Sequence, residues 1–204
     1  MKHLLRNPLL AVAGLLAFVS VAIVIGYLQT GGAPKPVVSQ GGPKIASFHL
    51  VDQNGNAVTE KDVIGRPAAL LFGFTYCPDV CPTMLAALTG SLSKLGPDAD
   101  QLGVYFVSVD PERDTTSVLK TYLAAFDPRI RGLTGSPEQI GILAKSLGIY
   151  HAKVDTGSGR YTVDHSALIV LLDDHGQFFG TIAFDESADT AVAKLKRLAN
   201  EGKR

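Results

Sequence analysis

The chain holds two cysteines, four positions apart, in Cys77-Pro78-Asp79-Val80-Cys81-Pro82. Two thiols cannot build a disulfide framework, but at this spacing they can act together. Residues i and i+4 share a face of a helix, so both sulfurs can point at one small object. That object is a metal ion or the other sulfur. A purely structural bridge is the weaker reading, because it would close a tiny loop and constrain the unfolded chain little. Thiolate is the form that ligates metal and attacks disulfides. The pair follows an apolar run (residues 68–74) and is expected where that strand meets a helix. The unpaired N–H groups and macrodipole of a helix N-terminus favour the thiolate. Pro78 and Pro82 stiffen the segment and remove two donors.

Thiolates are soft ligands that select Cu(I), zinc or iron–sulfur. An iron–sulfur cluster normally takes four cysteines and fails on the count. Zinc would need two further ligands. Cu(I) would be satisfied by both thiolates and one imidazole. The chain has five histidines. His3 precedes the apolar N-terminal segment and is excluded by topology. His49 is expected in a hairpin, His151 at a strand start beside Tyr150, and His175 in a turn, all places where polar residues need no further reason. His165 stands in Val163-Asp164-His165-Ser166, immediately before the apolar run 167–172. In a thioredoxin-like sheet the start of that strand lies beside the helix bearing the cysteines. Asp164 or Ser166 would then be placed to orient the ring. A histidine before a strand is also commonly structural, so spacing alone leaves the third ligand open.

The elements that must position these groups follow from the rest of the chain. Nineteen basic and nineteen acidic residues give a formal net charge of zero, with no basic stripe of the kind that binds nucleic acid. Residues 9–28 run twenty positions without a charge, after Lys2 and Arg6. At about 1.5 Å rise per residue, that length crosses the roughly 30 Å hydrocarbon core. The expectation is an N-terminal membrane anchor (residues 1–30), its basic end in the cytoplasm. A cleaved signal peptide is the rival reading, but its apolar core would be shorter, about 7–15 residues. Residues 31–43 are rich in Gly and Pro and read as a tether spanning at most about 45 Å. Residues 44–204 suffice for one domain. No Arg- and Ser-rich leader of the mitochondrial kind is present, so the expected setting is a bacterial inner membrane with the domain in the periplasm. Thiols there oxidise unless a metal or a reductant intervenes.

Apolar periodicity predicts strands at 68–74 and 102–109, and helices at 83–95, 116–126 and 137–147, followed by strands at 167–172 and 177–183 and a helix at 187–200. Asp52-Gln53-Asn54-Gly55-Asn56 and Asp173-Asp174-His175-Gly176 read as hairpin turns. Ser136-Pro137-Glu138-Gln139 is a helix start with a cap and a proline at the first position. Asp110-Pro111-Glu112-Arg113-Asp114-Thr115 reads as a strand-to-helix turn capped by Asp114 or Thr115. The order predicts an α/β fold: a thioredoxin-like mixed sheet flanked by helices.

Three blocks together resemble the SCO/SenC family: Gly73-Phe74-Thr75-Tyr76-Cys77-Pro78-Asp79-Val80-Cys81-Pro82-Thr83, Ser108-Val109-Asp110-Pro111-Glu112-Arg113-Asp114-Thr115 and Tyr161-Thr162-Val163-Asp164-His165-Ser166. Thr116 departs from the proline that many members carry there. The resemblance implies a thioredoxin-like copper-binding assembly factor for the CuA centre of cytochrome c oxidase. It implies one copper ion per chain, held by Cys77, Cys81 and His165. The implied partners are the CuA-bearing oxidase subunit, the inner membrane, and a further copper chaperone or thiol reductant. The alternative is a thiol–disulfide oxidoreductase in which Cys77 and Cys81 reduce the client's cysteines. The first reading is a metallochaperone, the second an enzyme.

Overall fold

In the computed structural model, which describes residues 18–21 and 42–201, the chain divides into two units, Met1–Gln40 and Gly41–Arg204. In the second unit the order is β1 (His49–Asp52), β2 (Ala57–Thr59), α1 (Glu60–Val63), β3 (Ala68–Gly73), α2 (Val80–Leu95), β4 (Gly103–Ser108), α3 (Thr116–Leu123), β5 (Ile130–Thr134), α4 (Pro137–Ser146), β6 (His151–Gly157), β7 (Arg160–His165), β8 (Leu168–Leu172), β9 (Phe178–Ala183) and α5 (Ala188–Glu201).

Every residue of β3 is buried. Its side chains alternate between the two faces of the sheet, and each face needs apolar cover. Leu70 and Phe72 join Phe48, Tyr105, Leu133, Ile140 and Leu143 in a layer closed by α4. Ala69 and Leu71 join Leu85, Leu92, Phe106, Leu119, Leu195 and Leu198 in a layer closed by α2, α3 and α5. Burial on both sides is why β3 reads as one continuous apolar run rather than as an alternation.

Seven strands form one sheet in the order β2-β1-β5-β4-β3-β8-β9. β3, β4 and β5 are parallel, while β1 and β8 run antiparallel to their neighbours. The mixed helix-flanked sheet is the expected architecture. Both turns form as read: Asp52 accepts from the amides of Asn54 and Asn56, and Asp173 from those of His175 and Gln177.

Three boundaries differ from expectation. The helix expected at 83–95 begins at Val80, because the apolar pattern lies dormant through Cys81-Pro82 although the backbone has already turned. The helix expected at 116–126 ends at Leu123. Strand β5 was not anticipated, because Arg131 and Gly132 break its apolar run. Arg131 reaches Asp52 at 3.2 Å. Gly132 leaves room for Leu123, whose Cδ1 would lie 2.6 Å from an added Cβ.

Strands β6 and β7 pair only with each other, in a two-stranded sheet outside the main one. Their outer residues are largely exposed, so apolar periodicity did not mark them, and only the strand start expected at His151 is met. Apart from a helical turn at 18–21 and Gly42-Pro43, the expected anchor and tether fall outside the described residues. No helix among the described residues is long and apolar enough to cross a membrane. The described chain joins the sheet edge at Pro43, whose carbonyl accepts from Phe178 N at 2.9 Å.

Leu85 is fully buried one turn after Cys81 and locks α2 to the sheet. Leu85→Ala should lower unfolding free energy by about 2–5 kcal/mol. Chemical denaturation measures this, and a loss within about 0.5 kcal/mol, the range of neutral surface changes, would contradict the packing described.

Candidate metal centre

Helix α2 begins just beyond β3, and the two cysteines straddle its start. Asp79 is the N-cap residue but makes no side-chain capping bond to the backbone. The Cys77 sulfur takes that place, accepting from Cys81 N at 3.4 Å. The pair therefore does not sit on one helix face: Cys77 lies in the preceding turn and Cys81 in the first turn of the helix. Cys77 N donates to the Phe74 carbonyl at 3.2 Å, which closes that turn. Both thiols are free.

Cys81 is fully buried and Cys77 is half-exposed. The Cys81 sulfur lies only 2.8 Å from where a Cβ on Gly73 would stand. No other residue at position 73 would leave the sulfur there without a shift. Burial pushes the Cys81 thiol up to about 12, although a hydrogen bond from the Phe74 backbone works in the other direction. The expectation that the helix start would favour thiolate at both positions is corrected for Cys81. Desolvation outweighs the dipole there, so a metal must displace a proton to bind.

His165 closes the site as the last residue of β7. Its Nε2 lies 3.4 Å from Cys81 Sγ, and its Nδ1 lies 3.1 Å from the Ser166 carbonyl. A carbonyl only accepts, so Nδ1 carries the ring proton and Nε2 presents its lone pair to the sulfurs. The orienting group is thus the Ser166 backbone. Asp164 is exposed, and the Ser166 hydroxyl accepts from Tyr150 N instead. Phe74 meets the imidazole edge-on, with ring centroids 5.8 Å apart.

One ligand atom from each of Cys77, Cys81 and His165 lies within 4.8 Å of the others, and no other Cys, His, Asp or Glu joins them among the described residues. Two sulfurs and one imidazole nitrogen suit a soft ion of low coordination number, as Cu(I) is, better than zinc with its preferred four ligands. His49 and His175 are exposed on the surface, and His151 lies opposite His165 in the β6–β7 pair without entering the group.

The loop read as a capping turn does more than cap. Thr115 is the cap, accepting from Val118 N. Asp114 is fully buried and accepts from Thr75 N at 3.0 Å, Thr75 Oγ1 at 2.6 Å and Ser108 Oγ at 2.7 Å. It fixes the turn that leads into Cys77. Burial raises the Asp114 carboxyl above its usual range, and these hydrogen bonds oppose the rise. The sequence signal was a charged residue beside a strand end, which a capping role explained without reference to the site.

Burial also lowers the His165 pKa below 6.5, against the opposing effects of the Ser166 carbonyl and Asp164. The folded ring therefore takes up a proton at lower pH than the unfolded one. Between those two values the unfolded chain holds more protons, so acid favours unfolding. The metal-free protein should keep this contribution above about pH 6.5 and lose it as pH falls towards the folded value. Stability curves of wild type and His165→Ala between pH 5 and 8 test this (about the range in which histidines titrate). The variant should show the smaller loss on acidification; identical profiles would contradict the assignment.

Known proteins resemble this chain in sequence and fold. A family model described as SCO1/SenC matches residues 38–200. The mitochondrial protein SCO2 of Saccharomyces cerevisiae is 38% identical over 163 residues, covering 78% of this chain and 52% of its own. The SCO2-like protein RT0576 of Rickettsia typhi is 33% identical over 195 residues, covering 89% of this chain and 96% of its own. Among solved structures, Bradyrhizobium japonicum ScoI with copper bound superposes with a TM-score of 0.71 at 45% identity, covering 76% of this chain and 99% of that one. The chain spans about half the length of the yeast relatives it matches. With the family match running through the sheet, the cysteine pair and His165, the chain belongs to the SCO1/SenC family.

Proposed function

We propose that this protein is a copper chaperone that carries one ion on Cys77, Cys81 and His165 and delivers it to the CuA-bearing subunit of cytochrome c oxidase. The observation that carries the reading is the convergence of two sulfurs and an unprotonated imidazole nitrogen within 4.8 Å. The copper bound to the related ScoI supports the choice of ion, and the family resemblance supports the choice of client.

The geometry suits cargo better than permanent storage. Three donors leave a copper ion open to a fourth. Cys77 is half-exposed and lines an open cleft with Pro78, Val80 and His165. An incoming client thiolate can bind from that side before Cys77 releases, so the ion passes across without being free in solution. Buried Cys81 holds the ion from the inner side and releases last. A membrane anchor at residues 9–28 and a tether at 31–43 would place the domain in the periplasm of a bacterium. Tethering would raise its effective concentration at a membrane-bound client.

The same two sulfurs support a second reading, thiol–disulfide exchange. Cys77 is the accessible nucleophile and Cys81 the buried resolving thiol. The Cys77 thiolate would attack a client disulfide, forming a mixed disulfide and releasing one client thiolate. Cys81 would then displace the second, leaving a Cys77–Cys81 disulfide and a client reduced by two electrons. A separate reductant would have to reset the pair.

His165→Ala separates the two. Anaerobic Cu(I) competition against a chelator should show one tightly held ion per wild-type chain and at least about 10-fold weaker binding in the variant, because even losing a group that only orients a ligand costs about 10–100-fold. Exchange with a disulfide substrate should change little. Wild-type copper affinity in the variant would reject the ligand set, and absence of competitive copper binding by the wild type would favour the oxidoreductase.

A further inference from the structure

The ligands reach the site on two separate segments. Cys77 and Cys81 come from the turn between β3 and α2, and His165 from the β6–β7 hairpin. That hairpin pairs with no strand of the main sheet, so something else must hold His165 against the cysteines. Within the hairpin and its flanks, Val163 is buried, and Tyr150 and Ser166 exchange two hydrogen bonds. Val163 joins the core layer that also holds Phe74 and Cys81, and Phe74 meets the His165 ring edge-on, but this apolar packing is non-directional and supplies no charged hydrogen bond between the two segments.

Arg113 does reach both. Its guanidinium lies over the Tyr161 ring at 3.9 Å on the hairpin side, and over Tyr76 at 4.8 Å and Phe74 at 5.8 Å on the cysteine side. Nη1 donates to the Tyr161 carbonyl at 3.1 Å. Nε donates to Asp110, a carboxylate with no exposed surface. Tyr161 Oη donates to the other oxygen of Asp110 at 2.8 Å. The Asp110 charge is thereby met by Arg113 and Tyr161 together. Nη2 is buried without a hydrogen-bond partner, so the aromatic rings take the place of a third acceptor on this plane. A planar, always charged group is needed for stacking and forked donation at once; lysine supplies the charge alone.

We propose that Arg113, seated on Asp110, is a positioning residue that clamps the β6–β7 hairpin to the cysteine turn and so presents His165 Nε2 to the metal. It touches none of the ligand atoms and acts through His165. The proposal rests on the copper reading for its consequence, but the clamp itself is a property of the metal-free protein.

The test uses the full chain as wild type, Arg113→Ala, Arg113→Lys, His165→Ala and Arg113→Ala/His165→Ala. Amide hydrogen exchange on the metal-free proteins reads the clamp without copper. In Arg113→Ala the β6–β7 amides should exchange about 10-fold faster or more, the scale of a charged hydrogen bond with a stacked cation, while the β3 and β4 amides stay protected. Unchanged hairpin exchange overturns the clamp. Anaerobic Cu(I) competition reads its consequence. Arg113→Ala should bind about 10-fold more weakly, yet cost less than about 3-fold once His165 is already alanine. Full additivity of the two losses overturns action through His165.

Arg113→Lys should fail to restore affinity; rescue by lysine would mean that charge alone suffices and would overturn the stacked clamp. Lysine also covers the case in which alanine fails to fold, because its exchange and affinity test the same claims. If His165→Ala binds copper like wild type while the hairpin still loosens in Arg113→Ala, the copper ligand set fails and the clamp stands.

Discussion

Cys81 Sγ sits 2.8 Å from where a side chain on Gly73 would begin, inside the protein, beside the end of β3. A sulfur in that position is shielded from oxidants and other thiols, but its thiolate is costly, and burial pushes the thiol to about 12. Metal binding must therefore offset the cost of removing a proton from a buried group. The surroundings lower that cost without admitting water: the Phe74 backbone donates to the sulfur, and the imidazole stands ready to complete a coordination sphere. Cys77 is half-exposed and caps the helix start. In the proposed chaperone, the inner sulfur would retain the ion and the outer one would meet a partner.

The third donor arrives by a different route. A strand of the main sheet would have fixed His165 through a ladder of hydrogen bonds. The hairpin that carries it stands outside the main sheet, held by buried Val163, the Phe74–His165 ring contact, the Lys153–Glu112 ion pair, the Tyr150–Ser166 bonds and the Arg113–Asp110–Tyr161 cluster. Elements with few buried contacts open at lower free energy than the core. In the proposed chaperone, a ligand on such an element could leave the ion while the two cysteines keep it. Asp114 serves the opposite end, fixing Thr75 and with it the turn that aims Cys77.

Much of the scaffold was legible because burial on both faces turns a strand into an unbroken apolar run, as in β3, and because caps such as Ser136-Pro137 announce helix starts. Strand β5 was hidden by Arg131 and Gly132, whose reasons are tertiary: an ion pair to Asp52 and room for Leu123. The β6–β7 hairpin was legible only as a strand start at His151, because Val163 is its one buried side chain. At the site, the cysteine pair was plain from spacing, while His165 was one of several histidines until the three sequence blocks were read together. The helix-start argument misjudged Cys81 because a dipole is visible in sequence and burial is not. Arg113 and Asp114 looked like ordinary turn charges; their partners, Tyr161 and Thr75, lie 48 and 39 residues away.

The account stands or falls on what surrounds the ion. An X-ray absorption spectrum of the reduced protein loaded with one equivalent of Cu(I) reads that directly. Two sulfur neighbours and one nitrogen neighbour in a three-coordinate shell are the expected result. A two-coordinate, all-sulfur shell would place His165 outside the site and contradict the assignment on which the transfer route depends.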